Sequence, residues 1–122
     1  MTQTENQYDL EERTLNFSKR VVKMTKVLTK NTANFEFSSQ VIRSACSVGA
    51  NYIEANEALS KKDFIMKMKI SRKESKETIY WLKLIIENNQ EIELRMRLLL
   101  QESTELLKIL SSIIEKSQNK KE

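Results

Sequence analysis

Several residue types are scarce or missing in this chain of 122 residues, which has no His, no Pro, one Gly and one Cys. Without His there is no imidazole to act as a general base or as a nitrogen ligand for zinc. One Gly cannot build a phosphate-binding loop, and one Cys can form neither an internal disulfide nor a thiolate metal site. We therefore expect no enzymatic activity, no metal, no cofactor and no small-molecule substrate.

Signals for export or membrane insertion are missing as well. No apolar run approaches the ~20 residues that a membrane-spanning helix needs. The polar start, residues 1–7, does not resemble a signal peptide, and the lone Cys46 fits a reducing compartment. We expect a cytoplasmic protein that makes no contact with a membrane.

The chain contains four segments in which apolar residues recur at helical spacing. They run from about Tyr8 to Lys30, Phe35 to Ala58, Lys61 to Asn88 and Gln90 to Lys116. Helices of similar length with short loops predict an all-α, antiparallel up-down-up-down four-helix bundle. In this prediction residues 8–116 form the bundle, residues 1–7 are a disordered N-terminal segment, and residues 117–122 are a frayed tail.

Polar and small residues suggest where these helices begin, end and meet. Asn34 is a plausible N-cap of the second helix, and Ser60 with Asp63 resembles a capping box before the third. Asn88 and Asn89 suit a left-handed C-cap. Gly49 within the second helix indicates a close approach by another helix, or alternatively a tolerated Gly that costs ~1 kcal/mol.

The third helix has a second apolar stripe, roughly opposite the stripe that faces the core. Its members are Met66, Ile70, Trp81 and Leu84. Exposed apolar patches usually mark interfaces, and Trp is enriched in interface hot spots. We predict a subunit contact here. The alternative is that Trp81 packs at the edge of the core.

Basic residues form rows on two of the predicted helices. The third helix carries Lys62, Lys69, Arg72, Lys76 and Lys83, and the first carries Lys19, Lys23, Lys26 and Lys30. On neighbouring helices these rows would form one positive surface that neutralises phosphates without reading sequence. The alternative is a solvated face. Since no aromatic residue lies among the lysines, base stacking is not expected.

A polar stripe on the second helix faces charged residues of the third. The set comprises Arg43, Ser47, Asn51, Glu54, Lys73, Glu74 and Glu77. Arg43 with Glu74 or Glu77 would form a network that fixes register and partner choice. A catalytic interpretation pairs Glu54 with Glu77 as acid and base, but no nucleophile or metal ligand stands beside them.

Two strings of residues resemble a known family. Residues 43–55, RSACSVGANYIEA, are similar to the helix-2 signature of four-helix-bundle proteins encoded in intervening sequences of bacterial 23S rRNA genes. Residues 62–65, KDFI, and 73–82, KESKETIYWL, resemble the helix-3 signature, and YDLE at 8–11 also fits. The resemblance covers about residues 8–115.

This resemblance implies a four-helix bundle and a homo-oligomer, with a pentameric ring as the expected assembly. It extends to the pentameric accessory protein of diversity-generating retroelements, which works with a reverse transcriptase and RNA. Some relatives carry a ribosomal-protein label. We therefore expect a non-enzymatic homo-oligomer, closed through helices 2 and 3, that associates with RNA or a ribonucleoprotein through its basic faces. The alternative is a protein-interaction scaffold without a nucleic-acid role.

Overall fold

A computed structural model describes the backbone of residues 3–119 and the side chains of residues 9–119. It contains four helices, and a short 3-10 turn at Gln90–Ile92 precedes the last of them. The helices are α1, Gln3–Thr25; α2, Thr32–Asn56; α3, Lys61–Asn88; and α4, Glu93–Asn119. The prediction of an all-α protein with four helices is confirmed.

The helices occupy the four corners of a bundle. Each packs against the next in the chain, and α4 packs back against α1. Short loops join successive helices, so neighbours run in opposite directions. Within the described residues α1 and α3 do not pack against each other, nor do α2 and α4. Helices α1 and α3 are therefore diagonal partners across the core.

The observed helix ends differ from the predicted ends mainly at α1. This helix ends at Thr25 rather than Lys30, because the next three backbone N–H groups donate to carbonyls three residues back, at 3.1–3.4 Å, and tighten the chain. Leu28 is thereby turned into the core and Lys30 lies in the loop. At the other end α1 already includes residues 3–7, whereas residues 1, 2 and 120–122 lie outside the described residues.

Side-chain capping is as predicted for α3 but not for α2. Ser60 Oγ accepts a hydrogen bond from the Asp63 N–H at 3.0 Å, as the capping box predicts. Helix α2 is capped by Asn31, whose Oδ1 accepts from the Asn34 N–H at 2.8 Å. The prediction that Asn34 is the cap was wrong, because the helix begins three residues earlier than the apolar pattern indicated.

Asn34 instead forms a buried amide pair with Asn89, and the two side chains are 2% and 1% exposed. Each amide donates to the carbonyl oxygen of the other, at 2.9 and 2.8 Å. Each also donates to a backbone carbonyl, that of Thr29 or of Ile85. Asn89 has a φ of −143°, so the predicted left-handed cap is wrong. The pair ties the α1–α2 loop to the end of α3.

The core is built from all four helices. At Gly49, α2 lies close to α1. A Cβ at this position would lie 3.0 Å from Thr14 Oγ1 and 3.2 Å from Thr14 Cβ. The close approach expected from the lone Gly is therefore present, and α1 is the neighbouring helix.

We expect Asn34→Ala or Asn89→Ala to lower the free energy of unfolding by about 1–3 kcal/mol, because each leaves a buried amide with an unpaired group. The double variant should cost less than the sum of the two. Urea unfolding followed by circular dichroism measures both effects. The exposed Asn16→Ala is the control and should change stability by less than about 0.5 kcal/mol. Additive losses would contradict a direct pair.

Candidate nucleic-acid interface

The two basic rows lie on different sides of the bundle and do not form one positive surface. Helices α1 and α3, which carry them, are diagonal, and α4 lies between them on one side. Of the nine predicted cations, eight are exposed, whereas Arg72 is half-buried. Lys30 is not part of the α1 row, because the helix ends before this residue. Each row must therefore be considered with the helix that flanks it.

The α1 row borders a groove between α1 and α4, hereafter the α1–α4 groove, which has a volume of about 180 Å³. It is lined by Arg20, Lys23, Met24, Val27, Ile92, Arg95, Met96 and Leu99. Three cations from two helices thus surround an apolar floor. The sequence pattern did not reveal Arg20 or Arg95 as members of a basic surface. Arg20 lies outside the lysine row on α1, whose members are three or four residues apart. The register of α4 against α1 brings Arg95 to the groove.

The same two helices form a tight ion pair farther along. The Arg13 guanidinium donates two hydrogen bonds to the Glu102 carboxylate, both at 2.8 Å, and one to Glu105 at 3.0 Å. The hydrogen bonds with Glu102 raise the pKa of Arg13 above its usual range. This charge-assisted pair fixes the register of α4 against α1.

The described side chains provide no such compensation in the groove. Among the described side chains, no carboxylate forms an ion pair with Arg20, Lys23 or Arg95. The α1–α4 seam is therefore neutralised at one end and cationic at the other. Like charges held together without a partner are unfavourable for the folded chain and create a positive potential that attracts anions.

The predicted polar set lies along the outer seam of α2 and α3 and divides into two separate ion pairs. Arg43 contacts Glu74 at 3.4 Å and Glu77 at 3.2 Å. Glu54 accepts a hydrogen bond from Lys67 at 2.8 Å, and this bond raises the pKa of Lys67.

The remaining members of the set take no part in those pairs. Asn51 donates to the backbone carbonyl of Ser47 at 2.8 Å, within α2 itself, and Lys73 is exposed. Since Glu54 and Glu77 are engaged with different cations, their geometry does not resemble an acid–base pair.

The predicted interface stripe on α3 is only partly exposed. Met66 is 52% exposed, whereas Ile70, Trp81 and Leu84 are half-buried. Trp81 packs against the core edge, with its ring 6.4 Å from that of Phe37, and its Nε1 is buried without a hydrogen-bond partner. The stripe therefore combines core-edge packing at Trp81 with an exposed apolar margin at Met66.

Among residues 9–119, no group of three or more Cys, Asp or Glu side chains is arranged to hold a metal ion. None of the helices over residues 3–119 has both the length and the apolar character needed to cross a bilayer.

With four helices, two ion-paired seams and a cationic groove established, comparison with known proteins identifies the family. Residues 6–112 match the 23S rRNA-intervening sequence protein family. The chain belongs to this family. The match spans all four helices and includes the residues of both seams, so the resemblance noted in the sequence is confirmed.

A solved structure shares this fold. The chain is 38% identical to a protein of unknown function from the S23 ribosomal protein family of Bacteroides thetaiotaomicron. The alignment covers 89% of this chain and 97% of that one, with a TM-score of 0.81. No curated protein matches the chain.

Charge reversal in the groove should reveal its electrostatic cost. We expect Arg95→Glu to raise the free energy of unfolding by about 0.2–1 kcal/mol, because a carboxylate would then face Arg20 and Lys23. Arg95→Gln should give a smaller gain, and both gains should shrink in 1 M salt, where the screening length is about 3 Å. A loss of stability at low salt would contradict the like-charge cluster. Urea unfolding at two salt concentrations measures the effect.

Proposed function

We propose that this protein is a non-enzymatic, cytoplasmic homo-oligomer that binds RNA, or the RNA of a ribonucleoprotein, through phosphate contacts in the α1–α4 groove. One observation carries the proposal: Arg20, Lys23 and Arg95 converge from two helices with no carboxylate among the described residues to pair with them. A phosphate backbone supplies the missing negative charge.

The chemistry of the groove favours backbone contacts over base contacts. Arg presents a planar fork of donors that matches a phosphate, and Lys adds a point charge. The floor is aliphatic, with Val27 and Ile92 but no aromatic ring on which a base would stack. Phosphate contacts position a nucleic acid without reading its sequence, so we propose recognition of charge and shape.

Assembly strengthens this mode of binding. The family resemblance leads us to propose a pentamer, and the half-exposed margin of the α3 stripe at Met66 supports contact between copies. One groove per copy would give several weak phosphate sites on one particle. Linked weak sites bind a long polyanion far more tightly than a single site does.

The groove and the α3 row provide a matched pair of variants for testing RNA binding. We expect Arg20→Gln/Lys23→Gln/Arg95→Gln to weaken binding to a labelled RNA hairpin by at least about tenfold. The slope of log affinity against log salt should fall by roughly 1 for each phosphate that the variant no longer neutralises. Fluorescence anisotropy over a salt series measures both quantities.

The control, Lys62→Gln/Lys69→Gln/Lys76→Gln, removes the same charge from another side of the bundle. It should retain most of the affinity. Equal losses in both triple variants would point to nonspecific attraction by net charge. An RNA affinity that is unchanged in both triple variants would contradict the proposed site.

The assembly is tested by an exposed residue whose replacement leaves the core intact. We expect Met66→Glu to dissociate the oligomer, because a carboxylate would be buried in an apolar contact. Leu94→Glu is the control: Leu94 is 82% exposed on α4, away from the stripe. Light scattering should show smaller particles for the first variant only, with helicity unchanged. An intact Met66→Glu oligomer would remove this stripe from the interface.

A protein-interaction scaffold is the second candidate, favoured by one feature that phosphate binding does not use. Leu94 and Leu98 expose apolar side chains on α4 beside Arg95. A pull-down with the untagged protein as bait tests it, with Leu94→Ala/Leu98→Ala as the comparison. Recovery of one protein that resists nuclease and is absent with the variant would favour the scaffold over the RNA-binding function.

A further inference from the structure

The positive surface of the α1–α4 groove continues over the outside of α1. Lys19 and Lys26 are exposed there, and with Arg20 and Lys23 they line a shallow depression of about 470 Å³. Arg20 and Lys23 also line the groove, so the two positive areas are joined. Because six residues turn a helix by about 600°, Arg20 and Lys26 lie roughly 120° apart around the axis of α1. The cations therefore curve around the helix.

The cations on the outside of α1 resemble those of the groove in their surroundings. Lys19 and Lys26 have no carboxylate partner among the side chains of residues 9–119. On the α4 side of the groove, by contrast, the charge is neutralised, because Arg97 is paired with Glu93 at 2.7 Å. The positive surface thus extends from the groove over α1 and not over α4.

Carboxylates limit this positive surface in both directions along the α1 axis. Toward the start of α1, Glu12 is exposed seven residues before Lys19 and on the same side of the helix. The ion pair at Arg13 adds Glu105, whose side chain is 49% exposed. Toward the end of α1, Glu91 is exposed in the 3-10 turn that precedes α4. A polyanion that followed the seam would meet like charges at both ends, whereas a path across α1 avoids them.

The curvature of this surface determines which form of RNA can contact all of it. An α-helix with its side chains is about 10–12 Å wide, whereas a DNA double helix stays nearly straight over about 150 base pairs. A stiff duplex laid on α1 would contact one side of the helix and could not follow the cations into the groove. A single strand can bend between successive nucleotides, so its phosphates can follow the curve.

The floor of the groove favours the same form of RNA. Val27 is 52% exposed and lines the groove together with Ile92. Aliphatic side chains of this kind can contact unpaired bases, whereas a duplex stacks its bases inside itself. An unpaired segment therefore uses both the charge and the apolar floor of the groove, and a duplex uses the charge alone.

We infer that the RNA segment in the α1–α4 groove is single-stranded and crosses α1, with its phosphates passing from the groove cations to Lys19 and Lys26. This inference rests on the proposed RNA-binding function. It adds the class of RNA and the direction of the strand, and it makes the two lysines part of the binding surface. The α3 row lies on another side of the bundle and is not on this path.

Fluorescence anisotropy with two RNAs tests this inference on the full-length protein. One is a labelled strand of alternating C and U, which does not pair with itself, and the other is its blunt duplex with the complementary strand. We expect the single strand to bind at least about fivefold more tightly at the same salt concentration. Lys19→Gln/Lys26→Gln should weaken binding of the single strand, and the salt slope should fall by roughly 0.7 for each phosphate that is no longer neutralised.

The control for the lysine pair is Lys69→Gln/Lys76→Gln, which removes the same charge from exposed positions on α3. It should keep the affinity for the single strand within about twofold, because charges on another side of the bundle are screened by salt. Equal losses in the two double variants would overturn the path over α1.

Replacement of Glu91 tests the direction of the strand. Since the inferred path turns away from this carboxylate, Glu91→Gln should change the affinity for the single strand by less than about twofold. A larger gain in affinity would place the strand along the seam and overturn the crossing of α1.

The outcomes separate this inference from the proposed function. A duplex that binds as tightly as the single strand would overturn the single-stranded class alone, provided that the triple variant of Arg20, Lys23 and Arg95 still loses affinity. An affinity for both RNAs that is unchanged in this triple variant would contradict the proposed function itself.

Discussion

Small side chains let α2 lie close to a neighbour on each flank. Gly49 meets Thr14 of α1 on one side, and on the other Ser71 and Thr78 of α3 donate hydrogen bonds to the Val48 carbonyl and the Ser44 hydroxyl, at 2.7 and 2.9 Å. Since both flanks of α2 are occupied, α1 and α3 are held at diagonal corners. As a consequence, the basic rows on α1 and α3 are separated.

The second feature that organises the molecule is electrostatic. Arg13, Arg43 and Lys67 each have a carboxylate partner, and these pairs lie on the seams between helices. The groove cations have none among the described residues. The other seams are neutralised by ion pairs, whereas the groove keeps a cluster of like charges that lowers the stability of the folded chain slightly. Local destabilisation of this kind is common at binding sites. The proposed function depends on this contrast within one seam.

The sequence was sufficient to predict some structural elements but not others. The bounds of α3 and its Ser60 cap follow from local residues, because the apolar period and the cap lie within a few positions. The Asn34–Asn89 pair joins residues 55 positions apart, so each Asn on its own suggested a helix end.

The candidate sites show the same limit. Arg43 was assigned to Glu74 or Glu77 from spacing, and the structure brings it to both. The α1–α4 groove was missed because it depends on the register of two helices far apart in the chain. Helical periodicity places Trp81 and Met66 on one stripe, but their burial differs. Trp81 packs against the edge of the core, whereas Met66 extends into solvent.

The measurement that tests the central claim most directly is size exclusion with light scattering, at 260 and 280 nm, on untagged protein purified from bacteria without added nuclease. We predict a particle whose mass is a multiple of 14.3 kDa and which carries excess absorbance at 260 nm. A protein that elutes free of nucleic acid at low salt, as a particle of one chain, would contradict both the assembly and the RNA-binding groove.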